Sequence, residues 1–158
     1  MQAVEATGLT RTYGAVTAVD GLTFELEEGR VLGVLGPNGA GKTTAIRMLT
    51  TILPPSSGRF AVAGIPDGSE REIRRRIGVL PESAGYPARE SGEEYLAYHA
   101  RLHGRQAGEA VAAARRLLAE VGLADRESAL IHTYSRGMRQ RLGIARALVN
   151  DPAVVFLD

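Results

Sequence analysis

Cysteine and tryptophan are absent from this chain of 158 residues, and aromatic residues make up only 5% of it. Without cysteine there is no disulfide and no thiolate metal site, a composition compatible with a reducing cytosol. No apolar run approaches the ~20 residues needed to cross a bilayer. Met1-Gln2-Ala3-Val4-Glu5 lacks the basic-then-apolar order of a secretory signal. A membrane process served by this chain therefore needs its membrane-spanning part elsewhere. Excess charge is missing as well: the formal net charge is +1, which gives no footprint for nucleic acid or an anionic surface. There is no internal repeat and no low-complexity tract. The remainder is ordinary for one globular domain, with 44% apolar and 23% charged residues. Lysine is the last scarcity. It occurs once, at Lys42, against eighteen arginines.

That lysine stands in Gly36-Pro37-Asn38-Gly39-Ala40-Gly41-Lys42-Thr43, which has the form G-x-x-x-x-G-K-[ST] of a phosphate-binding loop. Glycines let the backbone curl around an anion with its N–H groups turned inward. A compact ammonium fits between phosphates where a planar guanidinium does not. The Thr43 hydroxyl is a Mg²⁺ ligand candidate. Context agrees. The apolar run 31–35 predicts a buried strand before the loop. Ala45, Ile46, Met48, Leu49 and Ile52 recur at helical spacing after it, until Pro54-Pro55.

Around this centre, residues 1–35 read as strands, with a turn within Gly8–Gly14 and an alternating strand at Leu22, Phe24 and Leu26. Residues 59–63 predict a short strand closed by Gly64, Glu70–Arg76 a charged helical turn, and Ile77–Leu80 a strand ended by Pro81. Helices follow. Ser91 with Glu94 is a capping-box signal, and Tyr95, Leu96, His99 and Leu102 continue one face. Val111, Ala114, Leu117, Leu118 and Val121 mark a second helix, ended by Gly122. A third runs from about Met138 to Val149, and Ala153–Asp158 predicts a buried strand ending in a carboxylate. His99 and His103 lack the glutamate of H-E-x-x-H and read as packing or surface residues. Arg74-Arg75-Arg76, flanked by Glu70 and Glu72, reads as a solvated helix face.

Five segments in this order resemble the ATP-binding-cassette (ABC) ATPases over nearly the whole chain. Tyr13 sits where the family stacks an aromatic on adenine. The phosphate loop is Gly36 to Thr44. Val79-Leu80-Pro81-Glu82 matches the Q-loop that links core to helical subdomain. Tyr134-Ser135-Arg136-Gly137-Met138-Arg139-Gln140 stands at the signature L-S-G-G-Q, and Val154–Asp158 at the Walker B strand. The resemblance implies an α/β P-loop cassette: an antiparallel β-subdomain, a RecA-like core with a central, mainly parallel sheet, and an inserted helical subdomain. It implies boundaries of 1–82 for β-subdomain and loop core, 83–150 for the helical subdomain and 151–158 for the Walker B strand. The implied ligands are ATP and Mg²⁺, held by Tyr13, Gly36, Pro37, Asn38, Gly39, Ala40, Gly41, Lys42, Thr43 and Thr44. Thr43, Asp158 and Glu82 are the implied metal residues, and Glu82 and Asp158 the catalytic ones. Ser135 and Gly137 would donate to the γ-phosphate of ATP on a second subunit, the helix N-terminus behind them adding its partial charge. That implies a head-to-tail homodimer, docked on a separate permease near residues 82–89 and the helical region, at the cytoplasmic face of the membrane, with no nucleic acid.

Three departures sharpen the expectation. Glu82 replaces a common glutamine and adds negative charge. Arg136 and Met138 replace signature residues. These variants resemble the prokaryotic drug- and antibiotic-resistance exporters of the daunorubicin-resistance type. The chain also stops at Asp158, before the family's catalytic glutamate, D-loop and switch histidine. The expectation is therefore an exporter ATPase whose 158-residue chain binds ATP better than it hydrolyses it. The alternatives are a nucleotide-binding fragment without turnover and a soluble ABC ATPase outside transport.

Overall fold

The computed structural model describes residues 1–82 and 85–158, which form two units, residues 1–77 with Asp158 and residues 78–157. In the first, β1 (Gln2–Tyr13) and β2 (Val16–Glu27) form a hairpin. The phosphate-loop helix α1 (Lys42–Leu49) follows. Next come β3 (Ser57–Val62), β4 (Ile65–Pro66) and α2 (Glu70–Arg76). The sheet is four-stranded and antiparallel in the order β2-β1-β3-β4. Val4, Ala6 and Leu9 of β1 are buried, and so are Phe60 and Val62 of β3.

The second unit opens with β5 (Ile77–Leu80), whose first residue belongs to the other unit, and closes with β6 (Val154–Leu157). These two strands pair. Between them lie α3 (Gly92–Leu102), α4 (Ala107–Glu120) and α5 (Arg136–Ala147). Tyr95 and Leu96 of α3, Ala114 and Leu118 of α4, and Leu142 and Ala145 of α5 meet in one apolar core. The capping box of α3 forms as its spacing predicts. Ser91 Oγ accepts from Glu94 N at 3.2 Å, and the Glu94 carboxylate accepts from Ser91 N at 2.8 Å.

Several expectations need correction. Residues 31–35 form no strand: Val31 and Leu35 are 97% and 95% exposed. A buried strand needs ladder partners, and among the described residues the strands of the two sheets pair only with one another. Leaving each of these side chains in water forgoes roughly 1.5–3 kcal/mol of burial. The helix after the loop stops at Leu49 rather than reaching Leu53. Thr50 Oγ1 turns back to the Ile46 carbonyl at 2.8 Å, Thr51 takes a positive φ of 62°, and Ile52 is exposed. β1 runs through Gly8 without turning. Gly8 (φ 60°) is a bulge, marked by a register shift between Ala6 and Leu9, and the turn comes at Gly14. Leu102 faces solvent while Ala100 takes the buried position. The third helix begins at Arg136, two residues early, because Ser135 is its N-cap. In β6 only Val154 is buried.

Candidate functional site

The phosphate loop enters α1 through Gly41, whose φ of 84° is left-handed. A Cβ there would overlap the Ala18 carbonyl oxygen of β2. Only glycine satisfies both the torsion and the close approach. Gly39 also has a positive φ, of 83°, but open space around it. Gly36 to Ala40 are exposed residues. Lys42 curls over this arc. Its Nζ donates to the Gly36 carbonyl at 2.8 Å and the Pro37 carbonyl at 2.7 Å. An ammonium has three donors, so two are held by the loop itself. No acidic residue of α1 itself occupies its first turn, where the N-terminal partial positive charge favours an anion. Thr44 follows in the same turn, half-buried.

Thr43 Oγ1 donates to Asp158 Oδ1 at 2.9 Å. A hydroxyl and a carboxylate thus meet at the start of α1, beside the lysine. Mg²⁺ prefers hard oxygen donors and keeps waters and phosphate oxygens, needing only one or two protein ligands. This pair fits that demand. Among the described residues no three His, Cys, Asp or Glu gather into a metal cage, which such a site does not require.

Tyr13 ends β1 and is 46% exposed. The Arg11 guanidinium lies over it, with Cζ 4.7 Å from the ring centroid. Sequence reasoning missed Arg11. The available signal was its i, i+2 spacing from Tyr13, which puts both on one face of a strand.

In the second unit Ser135 and Gly137 sit at the N-terminus of α5, both exposed. Ser135 Oγ accepts from Met138 N at 3.2 Å. Tyr134 fixes this end of the helix. It is buried, and its hydroxyl donates to the Arg126 carbonyl at 2.7 Å; burial pushes the phenol up from its ordinary value. Glu82 lies just beyond β5 with an exposed side chain. Of the segment 82–89, Ser83 and Ala84 lie outside the described residues. Tyr86 donates to the Arg139 carbonyl of α5 at 2.8 Å, joining this segment to the signature helix. Gly143 makes room for it, since a Cβ there would stand 2.6 Å from both Tyr86 Oη and Leu80 Cδ1. His99 packs edge-on against Tyr95 and Tyr98, its ring centroid 4.7 and 5.5 Å from theirs.

The ABC transporter family profile matches residues 19–158. The daunorubicin/doxorubicin resistance ATP-binding protein DrrA of Streptomyces peucetius is 43% identical over 158 residues, 99% of this chain and 48% of that protein. The bacitracin transport ATP-binding protein BcrA of Bacillus licheniformis is 39% identical over 156 residues, covering 98% of this chain and 50% of that one. The chain thus spans about half the length of the curated relatives it matches. Among solved structures, cbiO1 from Clostridium perfringens, part of the ABC transporter complex cbiONQ, superposes with a TM-score of 0.87 at 25% identity. That match covers 99% of this chain and 65% of the other. The chain belongs to the ABC transporter family.

Proposed function

We propose that this ABC-family chain is the nucleotide-binding part of an exporter ATPase. It binds MgATP on Gly36–Thr44 and works with a separate permease to move a drug-like small molecule out of the cell. The observation that carries this reading is the Thr43–Asp158 contact at 2.9 Å beside the carbonyl-held Lys42. The named roles of relatives in drug resistance and bacitracin transport support the export half of it.

The chemistry follows from the residues. Loop N–H groups and the α1 terminus receive the phosphates. Lys42 exchanges its carbonyl acceptors for β- and γ-phosphate oxygens. Thr43 and Asp158 would hold a magnesium ion, which would supply charge stabilisation to the phosphate oxygens. The attack is in-line, by water on the γ-phosphate. Positioning and charge stabilisation supply most of the acceleration. Ser135 and Gly137 serve the nucleotide of a second, head-to-tail subunit, and Glu82 orients water or reaches the metal in the assembled site. Assembly on the permease puts the chain at the cytoplasmic face of the membrane.

The test is calorimetric titration of the chain with MgATP, alongside Lys42→Ala. Wild-type binding with loss on the order of tenfold or more in the variant is expected, since charge-assisted contacts contribute roughly 1.5–3 kcal/mol. Equal binding by both chains, or none by either, refutes the reading.

A further inference from the structure

We propose that Arg11 is the positioning residue of a base platform: its guanidinium backs the Tyr13 ring and sets that ring to stack on the base of a nucleoside triphosphate. The inference rests on the reading of Tyr13 as the base-stacking residue, and adds how the ring is held and what it selects.

Arg11 and Tyr13 share one face of β1, with Cζ 4.7 Å from the ring centroid. A cation at that distance from an aromatic face is attracted by the ring quadrupole. The guanidinium is itself anchored. Nη1 donates to the Pro54 carbonyl at 2.8 Å, while Nε is buried with no acceptor. A buried donor without a partner is costly and calls for an explanation. Here the guanidinium carbon lies over the ring while only Nη1 reaches the Pro54 carbonyl. The strand next to it is fastened to the same loop. Thr12 N and Thr12 Oγ1 both donate to Ser56 Oγ, at 3.1 and 3.2 Å, and Ser56 N donates to the Thr10 carbonyl at 2.8 Å.

Pro54 and Ser56 belong to the connection that leaves α1, the helix whose first turn carries Lys42 and Thr43. The base platform and the phosphate cradle are therefore tied to opposite ends of one helix. Tyr13 as a residue is 46% exposed, which leaves it within reach of a ligand. With Arg11 on one face, a base on the other completes a cation–ring–base stack. Stacking tolerates any aromatic base and reads no edge hydrogen bonds. The platform so built takes a nucleobase by its face and discriminates weakly between adenine and guanine.

The experiment compares the affinity of the full chain for MgATP, MgGTP and magnesium tripolyphosphate, which has the phosphates without the base. Arg11→Ala is expected to weaken MgATP about three- to fivefold, with tripolyphosphate unchanged. Tyr13→Ala is expected to weaken MgATP on the order of tenfold. The double variant should be no weaker than Tyr13→Ala, because Arg11 acts through the ring. Arg11→Lys should recover part of the loss and Arg11→Met, which keeps the stem, should not. That pair decides the matter if Arg11→Ala fails to fold. MgGTP should follow MgATP in every variant, and an affinity ratio above about tenfold would contradict stacking without edge readout. If Tyr13→Ala weakens ATP and the Arg11 variants do not, the inference is overturned while the platform reading survives. Equal loss for ATP and tripolyphosphate in the Arg11 variants overturns it too, as a general folding effect. If Tyr13→Ala leaves the ATP-to-tripolyphosphate ratio at the wild-type value, the platform reading itself is overturned.

Discussion

Thr43 and Asp158, 115 positions apart in sequence, are joined by a hydrogen bond of 2.9 Å from hydroxyl to carboxylate. The contact brings the last residue of the chain to the first turn of α1, and it sets the first prediction. Thr43→Val and Asp158→Asn should each remove most of the Mg²⁺ enhancement of ATP binding while leaving binding in chelator nearly unaltered. The loss should be about tenfold, the weight of one charge-assisted hydrogen bond. Paired titrations with magnesium and with EDTA measure it. Equal loss under both conditions would assign the two residues to folding instead.

Gly39 and Gly41 share a left-handed torsion and differ in their surroundings. Gly39→Ala should cost about 1–2 kcal/mol, the backbone penalty alone. Gly41→Ala adds overlap with the Ala18 carbonyl oxygen and should cost clearly more. Urea unfolding of the two variants gives the comparison. Equal destabilisation would contradict the packing of β2 against the loop.

Gly143→Ala should destabilise the helical unit by roughly 1–3 kcal/mol, because the added methyl displaces Leu80 or the Tyr86 hydroxyl. Tyr86→Phe combined with it should relieve only the part due to the hydroxyl. Thermal melts of single and double variants separate the two contacts. Additive losses would show that Tyr86 is not the neighbour that gives way.

Stability should also depend on pH in two windows. Burial, with Arg146 and then His103 nearby, holds His99 below the ordinary histidine value of 6.5. The unfolded chain then binds the proton more readily, so stability falls as pH drops below about 6.5. His103, held below 6.5 by burial and then by Arg105, adds to the same slope, so His99→Phe should reduce it without abolishing it. The Ser91 backbone N–H, and then its hydroxyl, hold Glu94 below its ordinary 4.5. That contribution is complete above 4.5 and is lost as pH falls through the depressed value, so it belongs to a second, more acid window. Melting temperature against pH resolves both. A wild-type profile flat between pH 7 and 5 would contradict the histidine assignment.

What the sequence made legible was local. The phosphate loop, the Ser91–Glu94 box and the strand Ile77–Leu80 depend on residues a few positions apart, and spacing carries that information. Residues 31–35 were misread because burial of a strand is decided by its neighbours, which periodicity does not contain. The end of α1 was misplaced because a side chain, Thr50, competes with the backbone for the Ile46 carbonyl. Propensity favoured a continuation to Pro54. Arg11 was passed over although its i, i+2 spacing from Tyr13 was visible, because its anchor, the Pro54 carbonyl 43 positions away, could be read only in the fold. Asp158 was assigned by the resemblance of Val154–Asp158 to the Walker B strand, and its distance to Thr43 could be read only in the fold.

Lys42 has a consequence of its own. By bonding Gly36 and Pro37, it closes the loop into a ring with a cation at its rim, much as a crown ether closes around its guest. An arriving phosphate then trades one set of oxygen acceptors for another, with no backbone to fold. Replacing the lysine would remove a charge and also the clasp that keeps the cradle in shape, so its loss should be felt in how fast an anion is captured as well as in how tightly it is held.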